Sequence, residues 1–564
     1  MKNYTKTSVY LSLLLTAFLI LPKITQAATS VTQYGITWTF DHDYTVGQFV
    51  NGDYWVVGPV VITGITPTFD GLHNGWMVNM SSTQNSYDTR APGFNASLAP
   101  ALPYNAQPGD AIIKAVSVSV EATDTRPTLQ TTAVLTVLGQ VPPNNGSTIF
   151  RPSFFGTERV LHSVDEINPT LLPSIVPPAG STPPSLSWLV TRFKMMQLDV
   201  DSYGNSENIR AIDNFCKGIF SHACSYGGRV ALDNGDGALR LMLNDSYADK
   251  HEALIYYLQF GLDLYYQMKQ GVEWVPNGGH GSGRKLPIIF AGVMLENAEI
   301  KNAVKNVAKE AGDSSVFQED GFLRAGFNGV PIFGAGGNYW TNVVTDYDSR
   351  TSKDPYGYID GGNIPGTSYQ SGINSMIWKG PAMAMKFMPE IETIWDNQLF
   401  GSYVDRWVNF GAWSQPDPCA PVMGRCVGGD KVGSVCTYAN HSACGTGGQC
   451  AGGICPSGAY AGQSCGIWLG PDPDTTCGGG VRCTYAGSEF WQVTYGSDPN
   501  KPGDCIRDAD PTDGIGRFPF EHGLRANTGG YQSAFVNGLW DEYRNDYVVS
   551  DTTPPAAPTG LSVL

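Results

Sequence analysis

Hydrophobic spacing changes once along the chain, and the change divides it. Over residues 32–141, apolar positions alternate with polar ones or cluster in short runs. Examples are Ile36-Thr-Trp38-Thr-Phe40, Tyr54 to Ile62, Ala115 to Val120 and Thr131 to Leu138. A period of two, broken by Gly and Pro, predicts strands, and the expected unit is an antiparallel β-sandwich. Residues 142–190 are rich in proline with short apolar pieces, the composition of an ordered connector. Beyond it, apolar residues recur every three or four positions. That spacing predicts helices over Gly237–Leu243, Asp249–Gln270, Leu286–Ala311, Gly372–Met388, Ile391–Phe410 and Tyr531–Tyr543. Asp249 and Pro287 stand where helix starts belong. Long glycine-rich loops, 326–337 and 356–366, separate the helices. A toroid of helical hairpins with its loops gathered at a cleft has this alternation. The expected fold is multidomain α+β: the sandwich, then an (α/α) toroid-like helical domain over residues 191–418 and 506–549.

Composition adds three segments to this division. Residues 1–27 read as a signal peptide, with Lys2 and Lys6, an apolar run from Val9 to Leu21, and small residues at Thr25-Gln-Ala27. The expected location is thus extracellular or periplasmic, and no later stretch is a better membrane span. Ten of the twelve cysteines fall within residues 419–505, among many glycines. This predicts a disulfide-rich insertion into the helical domain. The segment has no C-x-x-C pair and a single histidine, His441, so a metal site is not expected. Residues 550–564 resemble the linker and first strand of a fibronectin type III domain, which points to association with a cell surface. A formal charge of −16 argues against a nucleic-acid partner. An anionic substrate would need a local basic cleft to outweigh that global field.

One stretch concentrates chemistry: Asn277-Gly-Gly-His280-Gly-Ser-Gly-Arg284-Lys285. Glycine loses the most backbone freedom on ordering, so a run of four (278, 279, 281, 283) needs a reason. Close passage of the backbone past another group would be one, with the imidazole, guanidinium and ammonium presented for proton transfer and anion binding. A plain helix–helix connection ending in glycine is the alternative. The Walker spacing of a phosphate loop is absent. A second constellation is Asn234-Gly-Asp236-Gly, read as a loop opening the helix at Ala238, with capping as its bland role. A third is the loop tyrosines: Tyr339, beside Asn338 and Trp340, and Tyr369, where a lid or a packed ring is the ordinary reading.

These residue types suit β-elimination of a uronic-acid polysaccharide. Charge building on the uronate carboxyl must be neutralised while a base takes the C5 proton and an acid protonates the departing O4. No cofactor is needed. At this point the chain resembles the exported (α/α)-toroid polysaccharide lyases of the alginate and glucuronan lyase kind. The resemblance rests chiefly on the His-Gly-Ser-Gly-Arg-Lys loop and spans residues 192–410 and 531–543. It implies His280 and Arg284 as catalytic, with Asn234, and Tyr339 or Tyr369 as the acid. Lys285, Trp340, Asn338 and Asp236 would hold the acidic polysaccharide. A β-domain placed before the helices and the cysteine-rich insertion depart from several members of that group. Two other classes compete. A glycoside hydrolase would need two carboxyls across a cleft, drawn from Glu319 or Asp320 and Asp236. A non-catalytic carbohydrate-binding or cell-surface protein would draw on the β-domain and the fibronectin-like residues 550–564, and the helical bulk is more than such a module needs.

Overall fold

In the computed structural model the described residues are 26–81, 95–117, 128–194, 196, 210–211, 227–276, 279–309, 315–325, 331–333, 373–410 and 531–546, together with short pieces between 424 and 507. The architecture is α+β. Nine strands form the main sheet: β1 (Gln26–Gln33), β2 (Ile36–Gln48), β3 (Tyr54–Val57), β4 (Val60–Thr66), β5 (Trp76–Val78), β6 (Tyr104–Ala106), β7 (Ala111–Ser117), β8 (Thr128–Leu138) and β9 (Arg210–Ala211). Their order is β5-β7-β8-β3-β2-β4-β6, with β1 on β2 and β9 on β8. Most pairs are antiparallel, but β3–β8 and β8–β9 are parallel.

The expected antiparallel sandwich is therefore corrected to one mixed sheet that curls. Rings of Trp76 on β5 and Tyr104 on β6, the two ends of the strand order, lie 5.8 Å apart. Side-chain alternation explains why no second sheet is needed. Along β7 and β8, Ile112, Ala133, Leu135 and Val137 point into the hollow of the curl with Trp38, Phe40 and Trp76. Their neighbours Ala111, Ile113, Ala115 and Val134 face the other way and join the helical core. Both faces are covered, one by the sheet itself and one by helices.

The principal helices are α1 (Leu186–Phe193), α2 (Gly227–Leu241), α3 (Tyr247–Lys269), α4 (Lys285–Met294), α5 (Ala298–Asn306), α6 (Gln318–Gly321), α7 (Lys379–Phe387), α8 (Pro389–Trp395), α9 (Gln398–Phe410) and α10 (Ala534–Tyr543). Ser246 caps α3, its Oγ accepting from the Asp249 amide at 3.2 Å. From Ala253 to Met268 only Tyr256 on α3 is not buried, so that stretch runs through the core. The single periodic stretch expected from Leu286 to Ala311 is two helices, α4 and α5, because Glu296 turns at φ 47° and Asn297 caps the second. Likewise Asp396, at φ 52°, separates α8 from α9. The connector is pinned on both sides: Phe155 bridges to Met80 of the sheet region, and Ile175 bridges to Leu243 after α2. No described helix is long and apolar enough to cross a membrane.

Candidate functional site

The glycine loop runs between α3 and α4 through the helical core. Asn277 and Gly278 lie outside the described residues. At Gly281 and Gly283 the backbone passes so close to its neighbours that a side chain would not fit. A Cβ on Gly281 would stand 2.6 Å from the Trp274 carbonyl oxygen, and one on Gly283 would stand 2.4 Å from the Ala231 Cα. Gly283 also has φ 98°, which a side chain resists. From the other side, Gly227 on α2 leaves room for the carbonyls of Gly279 and His280, each 2.1 Å from where its Cβ would be.

Buried side chains then take up the loop's polar groups, as an enclosed backbone requires. Gln318 Oε1 accepts from the Gly281 amide at 2.9 Å, and Gln318 Nε2 donates to Ser282 Oγ at 2.9 Å. Ser282 Oγ donates to Asn374 Oδ1 at 2.9 Å. Glu319 Oε1 accepts from the Gly283 amide, and Asn234 Nδ2 donates to the Gly283 carbonyl at 2.8 Å. Arg284 folds back, donating from Nη1 to the carbonyls of His280, at 2.8 Å, and Ser282. Within this clasp His280 alone of residues 279–285 is partly exposed.

The predicted site residues separate accordingly. Asn234 does not lie on a loop opening a helix: it is inside α2, whose glycines are packing positions. Gly235 lies against Gly380 of α7, a Cβ there meeting the Gly380 Cα at 3.2 Å. Gly237 lies against the rings of Phe193 and Tyr257. Arg284 is fully buried and binds the loop itself. Lys285, expected at the substrate, is also fully buried: its ammonium lies 2.7 Å from Asp320 Oδ2 and donates to the Trp395 carbonyl at 2.9 Å. Asn397 completes that pair, donating to Asp320 Oδ1 at 2.8 Å. Burial pushes the Lys285 ammonium pKa down, with Asp320 opposing. An ion held this way serves the fold, not a ligand in solvent. Tyr339, Tyr369, Trp340 and Asn338 lie outside the described residues.

Two carboxyls carry strongly raised pKa values. Burial pushes Asp236 up to about 7, opposed by a hydrogen bond with Ser533, and its Oδ1 has no hydrogen-bond partner among the described residues. Burial also pushes Glu319 up to about 7, opposed by the Gly283 amide, and its Oε2 likewise has no partner there. With 8% and 0% exposure neither faces solvent, which weighs against the pair as hydrolytic carboxyls.

The structure also brings in residues that spacing did not single out. Gln318 and Asn374 hold the loop. The ring of Tyr531 covers Gly228, next to the Gly227 that touches the His280 carbonyl, and Tyr531 is partly exposed. Arg229, one residue further along α2, bonds Asp233 through Nε at 2.9 Å while 35% of its side chain remains exposed. A usable signal existed for Gln318: with Glu319 and Asp320, already candidates as carboxyls, it makes three polar residues in succession between Phe317 and Phe322. For Tyr531 and Arg229 only the fold supplies the proximity. Comparisons of the chain with protein-family models, curated proteins and solved structures return no match.

Proposed function

We propose that the chain is an exported lyase that cleaves an acidic, uronate-containing polysaccharide by β-elimination, with His280 moving the proton. The observation that carries this reading is the contrast at one loop. The backbone beside His280 is held by Arg284, Gln318, Glu319 and Asn234, while His280 itself stays partly exposed. A base fixed on a rigid support is what proton abstraction from carbon needs, because misplacement weakens the transfer steeply.

In the proposed reaction the imidazole removes the C5 proton of the uronate. The electron pair forms the C4=C5 double bond, and the C4–O4 bond breaks as O4 takes a proton. Tyr531 joins Tyr339 and Tyr369 as a candidate for that acid. Arg284 is committed to loop carbonyls, so the charge facing the substrate carboxyl passes in this proposal to Arg229, near the same end of α2. Arg284 and Asn234 act by shaping the loop. The helices are read as an (α/α) toroid, and residues 419–505 as a disulfide-stapled insertion. Cys444, buried and disulfide-bonded, supports that insertion and export.

The test is incubation with alginate, glucuronan and related polymers while following both ultraviolet absorbance and reducing ends. Absorbance from an unsaturated uronate, rising together with reducing ends, is the expected result. Reducing ends alone would indicate hydrolysis, for which the buried carboxyls Asp236 and Glu319 would have to open to solvent. Neither signal on any polymer would leave a binding role.

A further inference from the structure

Short helix α6 meets the glycine loop as a comb meets teeth. Its three successive polar residues are all fully buried, and each engages a different part of the loop. Gln318 takes Gly281 and Ser282, Glu319 takes Gly283, and Asp320 takes Lys285. Two of these choices follow from the partner: an amide suits a peptide N–H and a hydroxyl together, and a carboxylate suits an ammonium. Glu319 is different. It uses one oxygen on one amide, a job glutamine would do without burying an ionisable group. The charged groups nearest it do not account for the choice either. Asp320 repels a second negative charge, and Lys285 is already paired with Asp320.

We propose that Glu319 is a positioning residue for His280, holding the Gly283 peptide in its left-handed turn and gripping it more firmly as a carboxylate than as a neutral acid. The hydrogen bond from the Gly283 amide is charge-assisted when the carboxyl is ionised and weaker when it is protonated. Gly283 is also held at its carbonyl by Asn234 and stands three residues from His280, so its grip is transmitted along a backbone with little room to move. The carboxyl, raised to about 7 by burial, changes state in the neutral range. For openings that free the Gly283 amide while Glu319 stays buried, the loop is thus firm above that pH and looser below it; openings that hydrate the carboxyl run the other way, becoming easier as pH rises from about 4 to about 7. The consequence for turnover rests on His280 doing the chemistry; the loop geometry does not.

The experiment is hydrogen exchange of the full chain, resolved for the peptide spanning residues 279–285 and corrected for intrinsic exchange, from about pH 5.5 to about pH 8.5. Wild-type protection of this peptide should rise roughly tenfold through neutrality, the scale of one strengthened hydrogen bond. Glu319→Gln keeps an acceptor but cannot ionise, so its protection should stay level across the range. Glu319→Ala should show low protection throughout, with α5 unchanged. A wild-type step that persists in Glu319→Gln, or no step in wild type, overturns the proposal; the glutamine comparison decides even if the alanine variant does not fold. If the chain cleaves a polymer, the kcat step should be larger in wild type than in Glu319→Gln, where only protonation of the base itself remains, with KM within about twofold. A kcat step of the same size in that variant counts against Glu319. Absence of cleavage by wild type would remove the lyase reading while leaving the exchange result to judge Glu319 on its own.

Discussion

Asp236 shows how one buried atom sets a pH response. Its carboxyl sits inside α2 with one oxygen lacking a partner among the described residues, and burial raises it from the ordinary 3.8 to about 7. Between those values the folded chain keeps a proton that the unfolded chain has released. Stability contributed here therefore falls as pH rises from about 4 to about 7, and levels off above. Asp236→Asn removes the ionisation, so the variant should gain roughly 2–4 kcal/mol over wild type at about pH 8 and almost nothing at about pH 4. Denaturant midpoints at the two pH values check this; an equal effect at both would show that the carboxyl does not titrate on unfolding. Residue-scale legibility was uneven. That the His280 loop was special could be read from its glycines, since four entropy penalties between residues 278 and 283 demand a packing reason. Which of its side chains faced outward could not. Three nitrogen-bearing side chains, His280, Arg284 and Lys285, end in different surroundings because Asp320, Trp395 and the loop's own carbonyls enclose two of them. Those partners lie up to 110 residues away.

Among the elements, glycine decides which helices can touch. Gly261 in α3 faces α4 so closely that a Cβ would stand 2.3 Å from the Pro287 carbonyl oxygen and 2.9 Å from the Ala291 Cβ. Gly261→Ala would gain about 1 kcal/mol of helix propensity. Against that, the clash involves backbone that a rotamer change cannot relieve, at roughly 1–3 kcal/mol or more. The expected outcome is net destabilisation of about 1–2 kcal/mol, seen as a lower denaturant midpoint; a stabilised variant would mean that the α3–α4 crossing is looser than the structure has it. The same physics explains the misread helix start. Gly235 and Gly237 in the Asn234 stretch look like loop residues by propensity, and α2 keeps them because neighbouring rings and the α7 backbone occupy the space. Helix existence was legible from spacing, as α3 shows. The interruptions at Glu296 and Asp396 were not, because both residues adopt positive φ without being glycine.

At the level of the whole molecule, the sheet and the helices are joined by a buried ionic cluster. Arg151, on the connector, donates from Nε to Asp53 Oδ2 at 2.6 Å and from Nη2 to Asp263 of α3. Gln33 and Asn51 complete Asp53 from the sheet side, at 2.6 and 2.8 Å, while Gln259 on α3 donates to the Arg151 carbonyl at 3.0 Å. Arg151→Ala strands two buried carboxyls and should cost roughly 3–5 kcal/mol near neutral pH. The loss should shrink in acid, where Asp263, raised to about 6 by burial, takes up a proton. Midpoints across pH measure this, and a loss below about 1 kcal/mol at neutrality would show that apolar packing alone joins the layers. Alternation and short apolar runs made the strands legible, but not that helices would cover one face of their sheet in place of a second sheet, since such a pattern records burial and not the identity of the cover. The proposed chemistry depends on His280, and the most direct measurement compares wild type with His280→Ala on a uronate polymer, following the unsaturated product. The substitution should lower kcat by about 10²–10⁴-fold, the range for a lost general base, and leave the unfolding midpoint unchanged. Turnover by the variant at the wild-type rate, or reducing ends that appear without the unsaturated product, would contradict that chemistry.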